Sequence, residues 1–277
     1  MNIRTVLFVP GDRPDRFDKA AASGADAIVI DLEDAVPASH KDVARESACG
    51  WLQRAKAAGG PLRLLRINAR GTPWFDDDVR ALRDSGAQGV MLPKGEQPSD
   101  LGSLPDLGVW PLIESARGLH NVVAIAGAPR VQQLVFGSLD LQADLGMEAD
   151  AEEVELAPYR AQIVLASRLA GLIAPLDGVT PEIDDEDLLT RATRRAMRQG
   201  FGGKLCIHPR QVAVVHAAMR PSDAAVAHAR DIVEAAEAAG GAAVALDGNM
   251  IDRPVILRAQ AVLTRAERAS APEVSPE

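Results

Sequence analysis

Two apolar runs in the middle of the chain each end on a carboxylate: Gly108-Val-Trp-Pro-Leu-Ile-Glu114 and Gln133-Leu-Val-Phe-Gly-Ser-Leu-Asp140. Between them Leu119, Val122, Val123 and Ala126 recur at helical spacing within Ser115 to Gly127, so the stretch reads strand, helix, strand. Two parallel neighbouring strands would present Glu114 and Asp140 side by side at the same end of a sheet. Carboxylates brought close without a cation repel, and one of them is forced to keep its proton. Mg²⁺ resolves that conflict, because it binds one or two protein carboxylates and keeps its other positions for water and substrate. The competing reading is a pair of helix-capping acids.

Other charged residues fall where they could serve such a site. Arg66 lies near the end of Leu62-Arg-Leu-Leu-Arg-Ile-Asn68, and its planar fork suits a substrate carboxylate. It could equally pair with Asp31, Glu33 or Asp34, and both can hold at once. The acids of Asp31-Leu-Glu-Asp34 are expected to order metal-bound water or to pair with Arg66 or Lys94, not to ligate the metal themselves. His208, before Pro209, reads either as a general base or as a loop anchor. The other histidines show no ligand spacing.

These residues need a scaffold that gathers them. Eight strand candidates run along the chain: 5–10, 27–33, 62–68, 89–94, 108–114, 131–140, 171–179 and 204–208. Each is followed by a helical stretch or by a loop leading to one. Near-continuous apolar strands alternating with helices indicate a parallel sheet covered on both faces. Eight of them indicate a closed (β/α)8 TIM barrel of the α/β class. An open doubly wound sheet would show a Gly-rich dinucleotide loop after its first strand, and Val9-Pro-Gly-Asp-Arg-Pro14 lacks that spacing. In a barrel Asp31, Glu33, Asp34, Arg66, Lys94, Glu114 and Asp140 converge on one face. The barrel is expected over 1–220, followed by a C-terminal helical extension over 221–269 that packs on a neighbouring subunit. A disordered Pro-containing tail is expected over 270–277.

Composition narrows the function. The 277 residues carry 30 Lys and Arg against 39 Asp and Glu, a net charge of −9, with no basic block. That argues against a nucleic-acid partner. No apolar run has the length of a membrane helix, and the N-terminus enters a strand directly, so no membrane association and a cytoplasmic location are expected. Cys49 and Cys206 form no metal or redox spacing.

The motifs Leu7-Phe-Val-Pro-Gly11, Asp31-Leu-Glu-Asp-Ala-Val36, Arg66-Ile-Asn68, Leu92-Pro-Lys94, Ile113-Glu-Ser-Ala116, Phe136-Gly-Ser-Leu-Asp140, Ile207-His-Pro209 and Met250-Ile-Asp-Arg-Pro254 resemble, in the same order, the citrate lyase β subunit-like family of the HpcH/HpaI aldolase superfamily. The resemblance implies a (β/α)8 barrel with Mg²⁺ on Glu114 and Asp140. It implies a 2-keto acid at the metal, its carboxylate on Arg66, with Gly137 and Asp140 also lining the substrate site. It further implies cleavage or formation of a 3-hydroxyacyl-CoA thioester of the malyl-, citramalyl- or citryl-CoA type, in a homotrimer or homohexamer. Asp252 would enter from a neighbouring subunit as acid and base at the thioester α-carbon.

The chemistry is consistent with those parts, since cleavage leaves a thioester enolate that needs a proton donor and a carbonyl that needs a Lewis acid. Read without the resemblance, Asp252 is the N-cap of a helix starting at Arg253. Three alternatives use the same barrel: the β subunit of a multi-subunit citrate lyase acting on an acyl-carrier thioester, a keto-acid binding protein inactive alone, and a pyruvate-enolate aldolase with no need of Asp252.

Overall fold

The computed structural model describes residues 3–55, 59–238, 244–246 and 249–270. They form two compact units, Met1–His216 and Ala217–Glu277. The first begins β1 (Thr5–Pro10), α1 (Phe17–Ala21), β2 (Ala27–Asp31), α2 (Lys41–Ala55), β3 (Leu62–Arg66) and α3 (Phe75–Leu82). It continues β4 (Gly89–Leu92), β5 (Gly108–Ile113), α4 (Ala116–His120), α5 (Val122–Ala126), β6 (Val135–Phe136) and α6 (Ser138–Leu145). Then come α7 (Ala157–Leu169), β7 (Leu176–Asp177), α8 (Glu186–Arg198), β8 (Gly203–Cys206) and α9 (Pro209–Met219). The eight strands pair in order, all parallel, and β1 closes the barrel on β8 through Leu7 and Cys206.

Alternation along each strand decides which side chains enter the barrel. Ala27 and Val29, Leu62 and Leu64, and Trp110 and Leu112 point inward to a core shared with Met91, Val135, Leu176 and Leu205. Trp110 fits because Gly89 faces it, where a Cβ would collide with its ring. The next inward positions on the same strands are Asp31, Arg66 and Glu114. The period that fills the barrel with hydrocarbon therefore ends, at the C-terminal rim, in three buried charged groups. Outward-facing Ile28, Ile30, Leu65, Val90 and Ile113 are wholly buried, as strands covered by helices require.

Several expected strands are shorter in the structure. The apolar run 131–140 keeps only Val135–Phe136 as strand, plus a single bridge at Val131, and Gly137 then caps a helix that begins at Ser138. Asp140 accordingly stands in the first helical turn and not at a strand end. The helix expected over 115–127 is two short helices meeting at Asn121, whose side-chain amide donates to Glu96 O at 2.8 Å.

The second unit contains α10 (Asp223–Ala238), an antiparallel hairpin of β9 (Val244–Leu246) and β10 (Asn249–Ile251), and α11 (Arg253–Ser270). Ala229, Ile232, Ala236, Ile251 and Ala259 form its core. Helix α11 includes Ser270, and the rest of the expected tail, 271–277, lies outside the described residues. Among the described residues no helix is long and apolar enough to cross a membrane.

Candidate active site at the barrel mouth

The β2–β3 side of the mouth is a closed set of charges. Register pairs Asp31 with Arg66, and the guanidinium donates to both carboxylate oxygens, Nε to Oδ1 and Nη2 to Oδ2, each at 2.6 Å. Asp31 also accepts from the backbone N–H groups of Glu33 at 2.8 Å and Ala35 at 3.1 Å, which fixes the loop after β2. Lys41 braces this loop from below: its buried ammonium donates to the carbonyls of Leu32 and Glu33, both at 2.7 Å, and lies over the Trp74 ring. Arg66 stacks on Phe8, with 5.0 Å between the guanidinium carbon and the ring centroid. Its remaining nitrogen, Nη1, lies 2.8 Å from Glu33 Oε2 and 3.8 Å from Asp34. The first contact is not aligned as a hydrogen bond, so Glu33 Oε2 is buried without a hydrogen-bond partner. Burial pushes the Glu33 carboxyl up to about 8, against the pull of Arg66 and with the repulsion of Glu114, Asp34 and Asp31.

The β5–β6 side differs. Glu114 follows β5 and is buried at 4% exposure. Its Oε1 accepts from the Lys94 backbone N–H at 2.7 Å. Lys94 adopts φ 48° where its N–H meets Glu114, an uncommon conformation for a residue with a side chain. Burial first, then Asp140, raises the Glu114 carboxyl to about 7, while the Lys94 N–H and Arg66 oppose the rise. Asp140 stands on the rim of the same cavity; the walls of the mouth and Asp34 raise its carboxyl, and Lys94 and Arg66 lower it. Gly137 lies against Glu114, where a Cβ would collide with the carboxylate.

Glu114, Gly137, Asp140, Arg66, Asp31 and Asp34 therefore line one cavity of about 350 Å³. Among the described residues no group of three or more His, Cys, Asp or Glu is clustered as a metal cage. An all-oxygen pair with raised carboxyls, a glycine clearing space beside one of them and the unpartnered Glu33 oxygen nearby fit Mg²⁺, which keeps several waters. Asp252 belongs to the second unit. There its Oδ1 accepts from Val255 N–H at 3.2 Å and its carbonyl from Ile256 N–H at 3.0 Å, the capping arrangement the sequence allows. The ring Nδ1 of His208 accepts from Arg210 N–H at 3.2 Å, as a loop anchor does.

Three contributors escaped the sequence reading. Ser138 has a buried hydroxyl with no partner and lines the cavity; it lies inside the Phe136–Asp140 motif, which was its one signal. Lys41 has no local signature, because only the fold buries it. Phe8, in the first motif, was legible as a core strand residue but not as the platform for Arg66.

Comparison with known proteins identifies the family to which this barrel belongs. The sequence model of the HpcH/HpaI aldolase/citrate lyase family matches residues 4–107 and 102–209, and a second, described as C–C bond lyase of the TIM-barrel fold, matches 166–269. A citrate lyase subunit beta-like protein of Deinococcus radiodurans is 36% identical over 95% of this chain and 96% of that protein. A (3S)-malyl-CoA thioesterase of Cereibacter sphaeroides is 33% identical over 97% of this chain and 96% of its own length. The crystal structure of CitE from Mycobacterium tuberculosis in complex with magnesium, acetoacetate and coenzyme A superposes with a TM-score of 0.86 at 35% identity, covering 96% of this chain and 98% of that one. With an eight-stranded parallel barrel, a paired-carboxylate mouth and family matches from residue 4 to residue 269, the chain belongs to the HpcH/HpaI aldolase/citrate lyase family of carbon–carbon lyases.

Proposed function

We propose that this protein is a Mg²⁺-dependent lyase that cleaves or forms a 3-hydroxyacyl-CoA thioester, giving a short acyl-CoA and a 2-keto acid. The observation that carries the reading is the unmatched carboxylate pair, Glu114 and Asp140, beside an arginine whose own charge is already balanced. Glu114 and Asp140 would hold the ion, which supplies Lewis-acid polarisation of the keto oxygen when bound. Glu33, Asp34 and Lys94 would order its water or orient the two carboxylates, as the Lys94 N–H does for Glu114.

The residues of the chain divide the remaining work. Arg66 cannot offer its Nε–Nη2 edge, which Asp31 occupies, so it meets the keto-acid carboxylate through Nη1. Gly137 leaves room for that acid beside Glu114. In the cleavage direction the 3-hydroxyl gives its proton to water or to a carboxylate at the mouth, its oxygen forms the keto acid's carbonyl as the C2–C3 bond breaks, the pair of that bond passes to C2 as the thioester enolate, and the enolate takes a proton at its α-carbon. Asp252, delivered by a neighbouring subunit of a homotrimer or homohexamer, gives and removes that α-proton.

The reading is tested by following solvent deuterium into acetyl-CoA or propionyl-CoA by mass spectrometry, with Mg²⁺ and a keto acid present. Wild type should exchange and Asp252→Asn should not, while keto-acid binding survives in the variant. No exchange in wild type, with acyl carrier protein captured instead, would favour a carrier-dependent subunit.

A further inference from the structure

The N–H group that meets Glu114 Oε1 at 2.7 Å belongs to Lys94, whose φ is 48°. A residue with a side chain keeps that conformation only where its surroundings impose it. The imposing contacts come from the residues just after Lys94 and from the start of α4. Gly95 N–H donates at 3.1 Å to Leu112 O on β5, the strand that leads into Glu114. The N–H groups of Glu96 and Gln97 donate to the same oxygen of buried Asp100, Oδ2, at 3.2 and 3.0 Å.

Glu96 joins this loop to α4. Its carbonyl accepts from the Asn121 amide at 2.8 Å, and its Oε1 accepts from the Ser115 hydroxyl at 2.9 Å. That hydroxyl also accepts from Gly118 N–H at 3.1 Å and so caps α4. Gly118 lets the helix lie directly on the loop, because a Cβ there would stand 2.7 Å from the Gly95 carbonyl oxygen. Ser115 follows Glu114 in the chain, so the backbone that carries Glu114 and the loop that carries its N–H partner are tied to each other through the Glu96 side chain. Glu96, Ser115 and Asn121 all stand outside the lining of the mouth cavity. The Glu96 charge has the lesser part, since Arg117 lies 3.8 Å away on a side chain 73% exposed.

We propose that Glu96, held by Ser115 and Asn121, is a positioning residue that keeps the Lys94 N–H on Glu114 and so gives the carboxylate pair its selectivity for Mg²⁺ over Ca²⁺. The inference rests on the proposed Glu114–Asp140 metal pair and concerns how that pair chooses its ion. Mg²⁺ demands near-octahedral oxygens at about 2.1 Å, whereas Ca²⁺ takes oxygens at about 2.3–2.6 Å in flexible arrangements. Locking one carboxylate in place therefore serves the smaller ion more than the larger.

Isothermal titration of the full-length protein with Mg²⁺ alone and with Ca²⁺ alone, in wild type, Glu96→Ala, Glu96→Gln and Asn121→Ala, reads this directly. Glu96→Ala should weaken Mg²⁺ binding by about tenfold and Ca²⁺ binding by less than about threefold, so that the ratio of the two affinities falls. Glu96→Gln keeps the acceptor for the Ser115 hydroxyl and should match wild type with both ions. Asn121→Ala releases the Glu96 carbonyl and should shift the ratio in the same direction as Glu96→Ala. Unchanged Mg²⁺ affinity in both alanine variants, an equal loss for the two ions, or a loss in Glu96→Gln as large as in Glu96→Ala would overturn the inference while leaving the metal pair in place. Absence of Mg²⁺ binding by wild type would overturn the metal pair itself, and this inference with it.

Discussion

On the β2–β3 side of the barrel mouth, Asp31 is buried and receives a two-pronged guanidinium and two backbone N–H groups. On the β5–β6 side, Glu114 is equally buried yet receives one backbone N–H, and Asp140 adds repulsion. Asp31 and Glu114 are both carboxylates closing inward-facing positions of strands in one barrel. What differs is whether the chain supplies the countercharge. One side is paired within the chain, and the other carries charge that a cation on Glu114 and Asp140, as proposed, would match.

The comparison breaks most sharply if the β5–β6 acids are dispensable. Glu114→Ala and Asp140→Ala should each abolish Mg²⁺ binding, with losses beyond the roughly 10–100-fold that changes to outer residues cost, while the melting transition of the metal-free protein persists. Isothermal titration with Mg²⁺ and circular dichroism measure the two effects. Retained affinity in either variant would mean that the unmatched charge is not a metal site. The reciprocal change is Asp31→Asn, which leaves Arg66 buried with half its fork unpaired. It should cost about 3 kcal/mol in urea unfolding, as breaking a buried pair does. Conversion of a structural clamp should act on stability first, so a variant that unfolds like wild type would contradict that role.

The sequence disclosed the Asp31–Arg66 clamp and the Glu114–Asp140 pair unequally. The apolar runs Leu62-Arg-Leu-Leu-Arg66 and Gly108-Val-Trp-Pro-Leu-Ile-Glu114 were enough to put Arg66 and Glu114 at strand ends, because a short apolar run is a local property, whereas the face each side chain takes is set by the barrel. Asp140 was assigned to the right rim on the wrong element. The run 131–140 is apolar throughout, and nothing in its hydropathy separates a two-residue strand from the helix that Gly137 caps. The commitment of the Arg66 fork to Asp31 could be named only as one of two options, since it depends on register between strands. The burial of Lys41 and of the Ser138 hydroxyl arises from packing between segments distant in sequence, so no local pattern announces it.

A smaller perturbation tests how closely the two acids are tuned. Gly137→Ala places a methyl group against the Glu114 carboxylate, which must move away from its hydrogen bond to Lys94 N–H. Mg²⁺ affinity should fall by about 10–100-fold, the scale of an orienting contact, with little change in fold content by circular dichroism. Unaltered affinity would show that Glu114 has freedom the packing denies it.

The least disruptive probe is the proton. Glu114 is raised to about 7 and Glu33 to about 8, both above the ordinary 4.5. Between those limits the folded metal-free protein binds more protons than the unfolded chain. The contribution of these two acids to stability is therefore full below about pH 4.5 and is lost as pH rises through about 7 and then about 8. Urea midpoints should fall over this window in chelator. Addition of Mg²⁺ should flatten the part of the slope that belongs to Glu114, because the ion takes the place of its proton. The same linkage requires Mg²⁺ affinity to increase with pH up to about 7 and then level off, with proton release detectable in buffers of different ionisation enthalpy. Glu114→Gln should remove its share of the slope and leave that of Glu33, which separates the acid that meets the metal from the acid that faces Arg66.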